Sequence, residues 1–173
     1  MDVTDAVTRR IEVREFAAED VAEETKRAIL DAGRLAPSGR NVEHWRFVLV
    51  DDDEQLQAIA DASPTGGWVA GAAFAVAVCT DPAYPFNEID AGRTTASMQL
   101  FAWGRGVGSC LFTVSTDAAR RVLGVPDDYD LTAVLGFGYP TFDVEAVRGR
   151  KDRHALSEVA YHGRFGEPLS LPE

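Results

Sequence analysis

The chain has 173 residues, 46% of them apolar, with 28 acidic and 17 basic side chains for a formal charge of −11. Its length suits one domain over 1–173 with a core of its own, and its composition excludes a disordered acidic tail. The negative charge disfavours a nucleic-acid partner, and the lack of any run of about 18 apolar residues argues against a membrane-spanning helix.

Residues 2–9 suit a short first helix. From about 19 to 36, Ala28, Ile29, Ala32, Leu35 and Ala36 fall at helical spacing, and Pro37 ends the run. The run WRFVLV (45–50) reads as a buried strand. Residues 53–62 give a short amphipathic helix with Leu56, Ile59 and Ala60 inward. After Gly66-Gly67, residues 72–80 read as a second buried strand. The longest helix, about 88–105, carries Ile89, Ala96, Leu100 and Trp103 on one face, and Met98, Phe101 and Ala102 extend its apolar surface. A helix apolar on more than one side is central or meets a partner chain. Gly104, Gly106 and Gly108 stop it. A short strand at 110–114, a helix at 116–124 and a strand at 131–137 follow, then a charged end with a modestly amphipathic HALSEVAY. Helices and strands alternate without βαβ regularity. The fold class is therefore α+β, with a mostly antiparallel or mixed sheet between helical layers.

The obvious catalytic signals are missing. His44, His154 and His162 are scattered, no G-x-S-x-G elbow is present, and the glycine patterns at 104–108 and 136–138 do not open a helix after a strand. Cys79 and Cys110 are too few and too far apart for a disulfide framework, and Cys79 closes an apolar run as a buried thiol does. A soluble protein of a reducing compartment, the cytoplasm, is expected, and any redox chemistry would fall to a cofactor. Positive charge concentrates at Arg9, Arg10 and Arg14 and again at Arg148, Arg150, Lys151 and Arg153. The two clusters either converge on an anion such as a phosphate or lie as solvated ends paired with surface carboxylates. Only Lys26 and Lys151 are lysines, against fifteen arginines. This pattern fits a halophilic protein surface, or a GC-rich genome that favours Arg codons.

The stretch APSGRNVEHWRF (36–47) packs hydrogen-bonding and stacking groups into a helix-to-strand connection. Taken with R-x-x-V-R-E-F before it, and with G-x-G-S-C, L-G-V-P, G-Y-P and K-x-R-x-x-L-x-E-V after it, the chain resembles the FMN-dependent nitroreductase family from about residue 3 to 162. The resemblance implies a three-layer α/β/α nitroreductase-like fold with a central, mostly antiparallel (mixed) sheet. It also implies an intertwined homodimer with FMN at the interface. Carried over by motif, Arg10, Ile11, Glu12 and Arg14 fall on the N-terminal flavin grip, Arg10 at the phosphate and Arg14 beside the pyrimidine side of the ring. Lys151 and Arg153 match the C-terminal basic pair of the phosphate site. Pro37, Ser38 and Asn41 match the turn that reaches the flavin from the other subunit. Leu111, Phe112 and Thr113 match the segment near flavin N5.

Two departures stand out. Glu12 replaces a common Ser and Ile11 a common Arg or His, and a carboxylate beside a phosphate repels it. The implied activity is ping-pong hydride transfer from NADH or NADPH, through flavin N5, to a small electron-poor acceptor such as a nitroaromatic or quinone. No catalytic side chain is required. The alternative is a flavin- or small-ligand-binding protein of the same fold without turnover.

Overall fold

The computed structural model describes residues 2–114, 116–144, 146–147 and 153–170. In chain order the elements are α1 (Val3–Arg9), α2 (Glu23–Arg34), β1 (Arg46–Val50), α3 (Asp53–Asp61), β2 (Phe74–Thr80), α4 (Asn87–Gly104), β3 (Gly108–Phe112), α5 (Asp117–Leu123), β4 (Asp130–Gly138) and α6 (Leu156–Val159). Short polar side chains start three of the helices by satisfying free N–H groups. Asp2 accepts from Asp5 N–H at 2.7 Å, Asp52 from Gln55 N–H at 2.9 Å, and Thr116 from Ala119 N–H at 3.1 Å. Gly124, in the left-handed region at φ 64°, closes α5.

The sheet order is β1-β2-β4-β3, and all three ladders are antiparallel. Central β2 is buried along its whole length, which explains why its sequence is a continuous apolar run. Side-chain alternation sends Phe74, Val76 and Val78, with Leu135 and Phe137 of β4, to one face, where they meet Ile29 of α2 and Met98 and Ala102 of α4. Ala75, Ala77 and Val134 go to the other face and meet Leu56 and Ile59 of α3 and Ala119 and Leu123 of α5. The result is the expected α/β/α layering. Among the described residues, parallel pairing is confined to one isolated bridge, Glu12 to Ser109, which lays the N-terminal segment along the free edge of β3.

The run at 45–50, read as a buried strand, forms the edge strand β1, of which only Val50 is buried, because β2 alone flanks it. Two further sequence expectations change. The third strand begins at Gly108, two residues before the expected 110–114 start, because Gly108 and Ser109 pair with Gly138 and Phe137. Gly108 also lies under Val13, whose methyl carbon stands 2.7 Å from where a Cβ would sit, so the helix-stop glycine doubles as a close-approach residue. The second change concerns α4. Its core face carries Asp90, Ala91, Thr94, Met98, Gln99, Ala102 and Trp103, whereas Ala96 is exposed and Ile89 is 66% exposed. Polar residues take the inner face because they find partners there, as Thr94 Oγ1 does in donating to Gly33 O of α2. Beyond β4 the described tail from Arg153 to Ser170 is exposed apart from half-buried Ala160 and Leu169. No described helix is long and apolar enough to cross a membrane.

Candidate active site

The edge of β3 is where the N-terminal motif meets the sheet. Val13 N–H donates to Ser109 O at 3.0 Å, which fixes the backbone of Glu12 beside the strand. From there the Glu12 carboxylate gathers three donors. Arg10 Nη1 reaches Oε1 at 2.7 Å, Leu111 N–H reaches Oε2 at 3.3 Å, and Gln99 Nε2 reaches the same Oε2 at 3.4 Å. Gln99 is buried in α4 and also donates to Ser109 Oγ at 3.3 Å, so its amide is held from two sides. The position is half-shielded, with the Arg10 and Glu12 side chains 24% and 38% exposed. Beneath it lies the Cys110 thiol, pushed up to about 11 by burial and by the neighbouring Glu12 carboxylate, with Arg14 pulling the other way.

The other sequence-predicted residues of this half divide by role. Ile11 packs with Ala6, Val13 and Trp103, so its side chain belongs to a small apolar cluster. Phe112 is buried edge-on against Trp68, with ring centroids 5.3 Å apart, which leaves only its backbone facing any ligand. Leu111 is half-buried, and Arg14 and Thr113 are exposed. Arg153 is exposed at the start of the tail, whereas Lys151 lies outside the described residues.

The turn that carries Pro37, Ser38 and Asn41 is built by buried chemistry that the sequence did not announce. Asp90, only 1% exposed, accepts Gly39 N–H at 2.8 Å, and its same oxygen lies 3.2 Å from His44 Nε2. A carboxylate cannot donate here, so Nε2 carries the proton. His44 is sandwiched among Tyr84, Phe86 and Trp45, stacked on Tyr84 at 5.4 Å. Ser38 Oγ accepts Glu43 N–H at 3.1 Å across the turn. Within this frame three non-glycine residues adopt left-handed backbone: Arg40 at φ 53°, Asn41 at 55° and Glu43 at 48°. Such strain persists only where the surroundings over-determine it, and it clusters at binding and switching sites. The tight fit extends to Gly39, where a Cβ would meet the Phe86 ring at 2.6 Å. A lone Asp near a helix start gave no sequence signal for this role, because its partners lie 46 and 51 residues away.

The structure thus keeps the two groups of motif residues apart within one chain. The turn hangs from Asp90 near the start of α4, while the Glu12 position hangs from Gln99. Nine residues of helix separate the two, about 13 Å of rise.

FMN needs a cradle for its phosphate and hydrogen bonds for its polar chain. A guanidinium, a backbone N–H and a side-chain amide converging on one anionic position match such a cofactor, and here they already hold an anion, the carboxylate of Glu12. The residues fit the group in kind, with the Glu12 carboxylate now holding the donors.

A nitroreductase-family model matches two overlapping stretches, residues 7–81 and 64–139. The chain belongs to the nitroreductase family. A relative from Archaeoglobus fulgidus, which carries the name NADH dehydrogenase/NAD(P)H nitroreductase, is 32% identical over 77% of this chain and 82% of its own. A solved structure of the same name from Bacteroides thetaiotaomicron superposes with a TM-score of 0.85 at 25% identity, covering 94% of this chain and 98% of that one. An FMN-dependent nitroreductase from Clostridium difficile shares the fold, with a TM-score of 0.85 at 24% identity over 94% of this chain and 99% of that one. The nitroreductase fold of these neighbours is the three-layer arrangement described above.

Proposed function

We propose that this nitroreductase-family chain is an FMN-dependent NAD(P)H oxidoreductase. In this reading it works as a homodimer with flavin at the interface, and a reduced nicotinamide and an electron-poor acceptor such as a nitroaromatic or quinone use one site in turn. The observation that carries the reading is the convergence of Arg10, Gln99 and Leu111 N–H on one anionic position at the open edge of β3. Two features support the dimer. The outward side of α4 exposes Ile89, and the tail exposes Leu156, Val159, Tyr161 and Phe165, the last at 92%. Apolar side chains left in water on a central helix and an extended tail suit burial against a second copy. The separation of the two groups of motif residues along α4 is resolved in the same way, if the turn of one protomer completes the β3 edge of its partner.

Bound there, FMN supplies hydride acceptance and delivery, chemistry that no side chain of the chain offers. The chain's own residues bind and orient. Arg10 is the counter-charge for the phosphate, with Lys151 and Arg153 as its C-terminal complement. Arg14 sets positive charge at the ring's pyrimidine side, where reduction places negative charge. The backbone of Phe112 and Thr113 runs beside the ring, and Leu111, whose N–H meets Glu12 Oε2, leads into it. Pro37, Ser38 and Asn41 form a rigid cap, held by Asp90 and His44. The acidic surface and lysine scarcity suit work in concentrated salt inside the cell.

The test is a visible spectrum of the purified protein after incubation with FMN and desalting, followed by NADH or NADPH without oxygen. A retained flavin band that bleaches with either donor is the expected result. A band inert to both donors would make the protein a flavin carrier, and a colourless protein would remove the flavin from the reading altogether.

A further inference from the structure

We propose that Glu12 is an internal competitor for the flavin's phosphate and sets how strongly this protein distinguishes FMN from riboflavin. The inference rests on the flavin reading above and concerns one residue of that same site.

Both carboxylate oxygens of Glu12 are engaged: Oε1 by Arg10 at 2.7 Å, Oε2 by Leu111 N–H at 3.3 Å and Gln99 Nε2 at 3.4 Å. Donors from a helix terminus, a strand backbone and a buried helix face meet its two oxygens, so Glu12 fills an anion cradle from within. The residue cannot withdraw as a whole. Its backbone bridges Ser109, and Val13 N–H is tied to Ser109 O at 3.0 Å, so only the side chain can move. Two anions cannot share the Arg10 guanidinium without mutual repulsion, which salt weakens but does not abolish at a pair whose side chains are 24% and 38% exposed. A phosphate arriving at Arg10 must therefore displace the carboxylate or accept a neutralised arginine. In both cases the phosphate's contribution to binding shrinks, while the ring and ribityl chain, common to both flavins, keep theirs.

The ratio of riboflavin to FMN dissociation constants isolates the phosphate contribution. It is read by quenching of flavin fluorescence on the full chain, for the unaltered protein and for Glu12→Gln, Glu12→Ser, Arg10→Gln and the Glu12→Gln/Arg10→Gln double variant. The unaltered protein is expected to favour FMN by no more than about threefold. Glu12→Gln and Glu12→Ser are each expected to tighten FMN by about tenfold or more, the scale of one charge-assisted contact, with riboflavin within about twofold. That gain should fall as salt rises and vanish in the double variant. The proposal is overturned if the unaltered protein already favours FMN by more than about tenfold and loses that preference only with Arg10→Gln. It is overturned equally if removing the carboxylate tightens both flavins alike, since Glu12 would then act on the ring or ribityl chain. Binding of neither flavin to any variant would instead defeat the flavin reading itself, and this inference with it.

Discussion

Asp90 offers a sharp test of how the turn is held. Its Oδ2 accepts both Gly39 N–H and His44 Nε2–H, while Oδ1 faces Arg93 Nη1, which is half exposed, at 3.6 Å. Asp90→Asn can place its amide oxygen at the Oδ2 position and keep both bonds in neutral form, turning its NH2 toward Arg93 and solvent. Exchanging two charge-assisted bonds for neutral ones costs about 1 kcal/mol each, or ~2 kcal/mol in all. Asp90→Ala removes both acceptors and strands a buried imidazole N–H and a backbone N–H, for a loss of about 3–6 kcal/mol. For a domain of this size that corresponds to a fall in Tm of roughly 4–8 °C for Asn and roughly 6–24 °C for Ala. Urea unfolding and thermal scans on both variants give the two numbers. Equal losses for Asn and Ala would show that the charge rather than the acceptor geometry holds the turn. A loss under about 1 kcal/mol for Ala, the worth of a single ordinary hydrogen bond, would refute the argument outright.

Three further outcomes follow from the same structure. Gly33→Ala would drive a Cβ into the Met98 side chain and to 3.1 Å from Thr94 Oγ1, so overpacking of α2 on α4 should outweigh alanine's better helix propensity. Urea unfolding should show a loss of about 1–3 kcal/mol, and a neutral or stabilised variant would contradict it. The Cys110 thiol, ordinarily near 9.0 and pushed up to about 11 by burial, binds its proton more tightly folded than unfolded. Stability should therefore be intact below pH 9 and fall as the pH rises toward 11, by roughly 1.4 kcal/mol per unit. Comparing this protein with Cys110→Ala should show that slope only in the former. Finally, deleting residues 154–173, which removes exposed Leu156, Val159, Tyr161 and Phe165, should shift the protein from dimer to monomer in sedimentation equilibrium. An unchanged mass would place the interface elsewhere.

Much of the fold was readable along the chain because the deciding interactions are local. Pro37 ends one helical run, Gly104, Gly106 and Gly108 stop another, and the apolar run 72–80 suits a strand buried on both faces. The order of short motifs is equally linear, so the family resemblance needs nothing beyond residues taken in chain order. Tertiary structure alone decided which side of α4 faces the core. Apolar periodicity favoured Ile89 and Ala96, yet burial follows satisfied partners as well as hydrophobicity, and Asp90, Thr94 and Gln99 find theirs on other elements. Tertiary structure also turned the Glu12 anomaly into a specific contact. A carboxylate where a phosphate is expected reads only as repulsion when just its neighbours in sequence are known. Its meaning came from Gln99 and Leu111, which lie 87 and 99 residues away and reach it only because β3 lies between the N-terminal segment and the rest of the sheet.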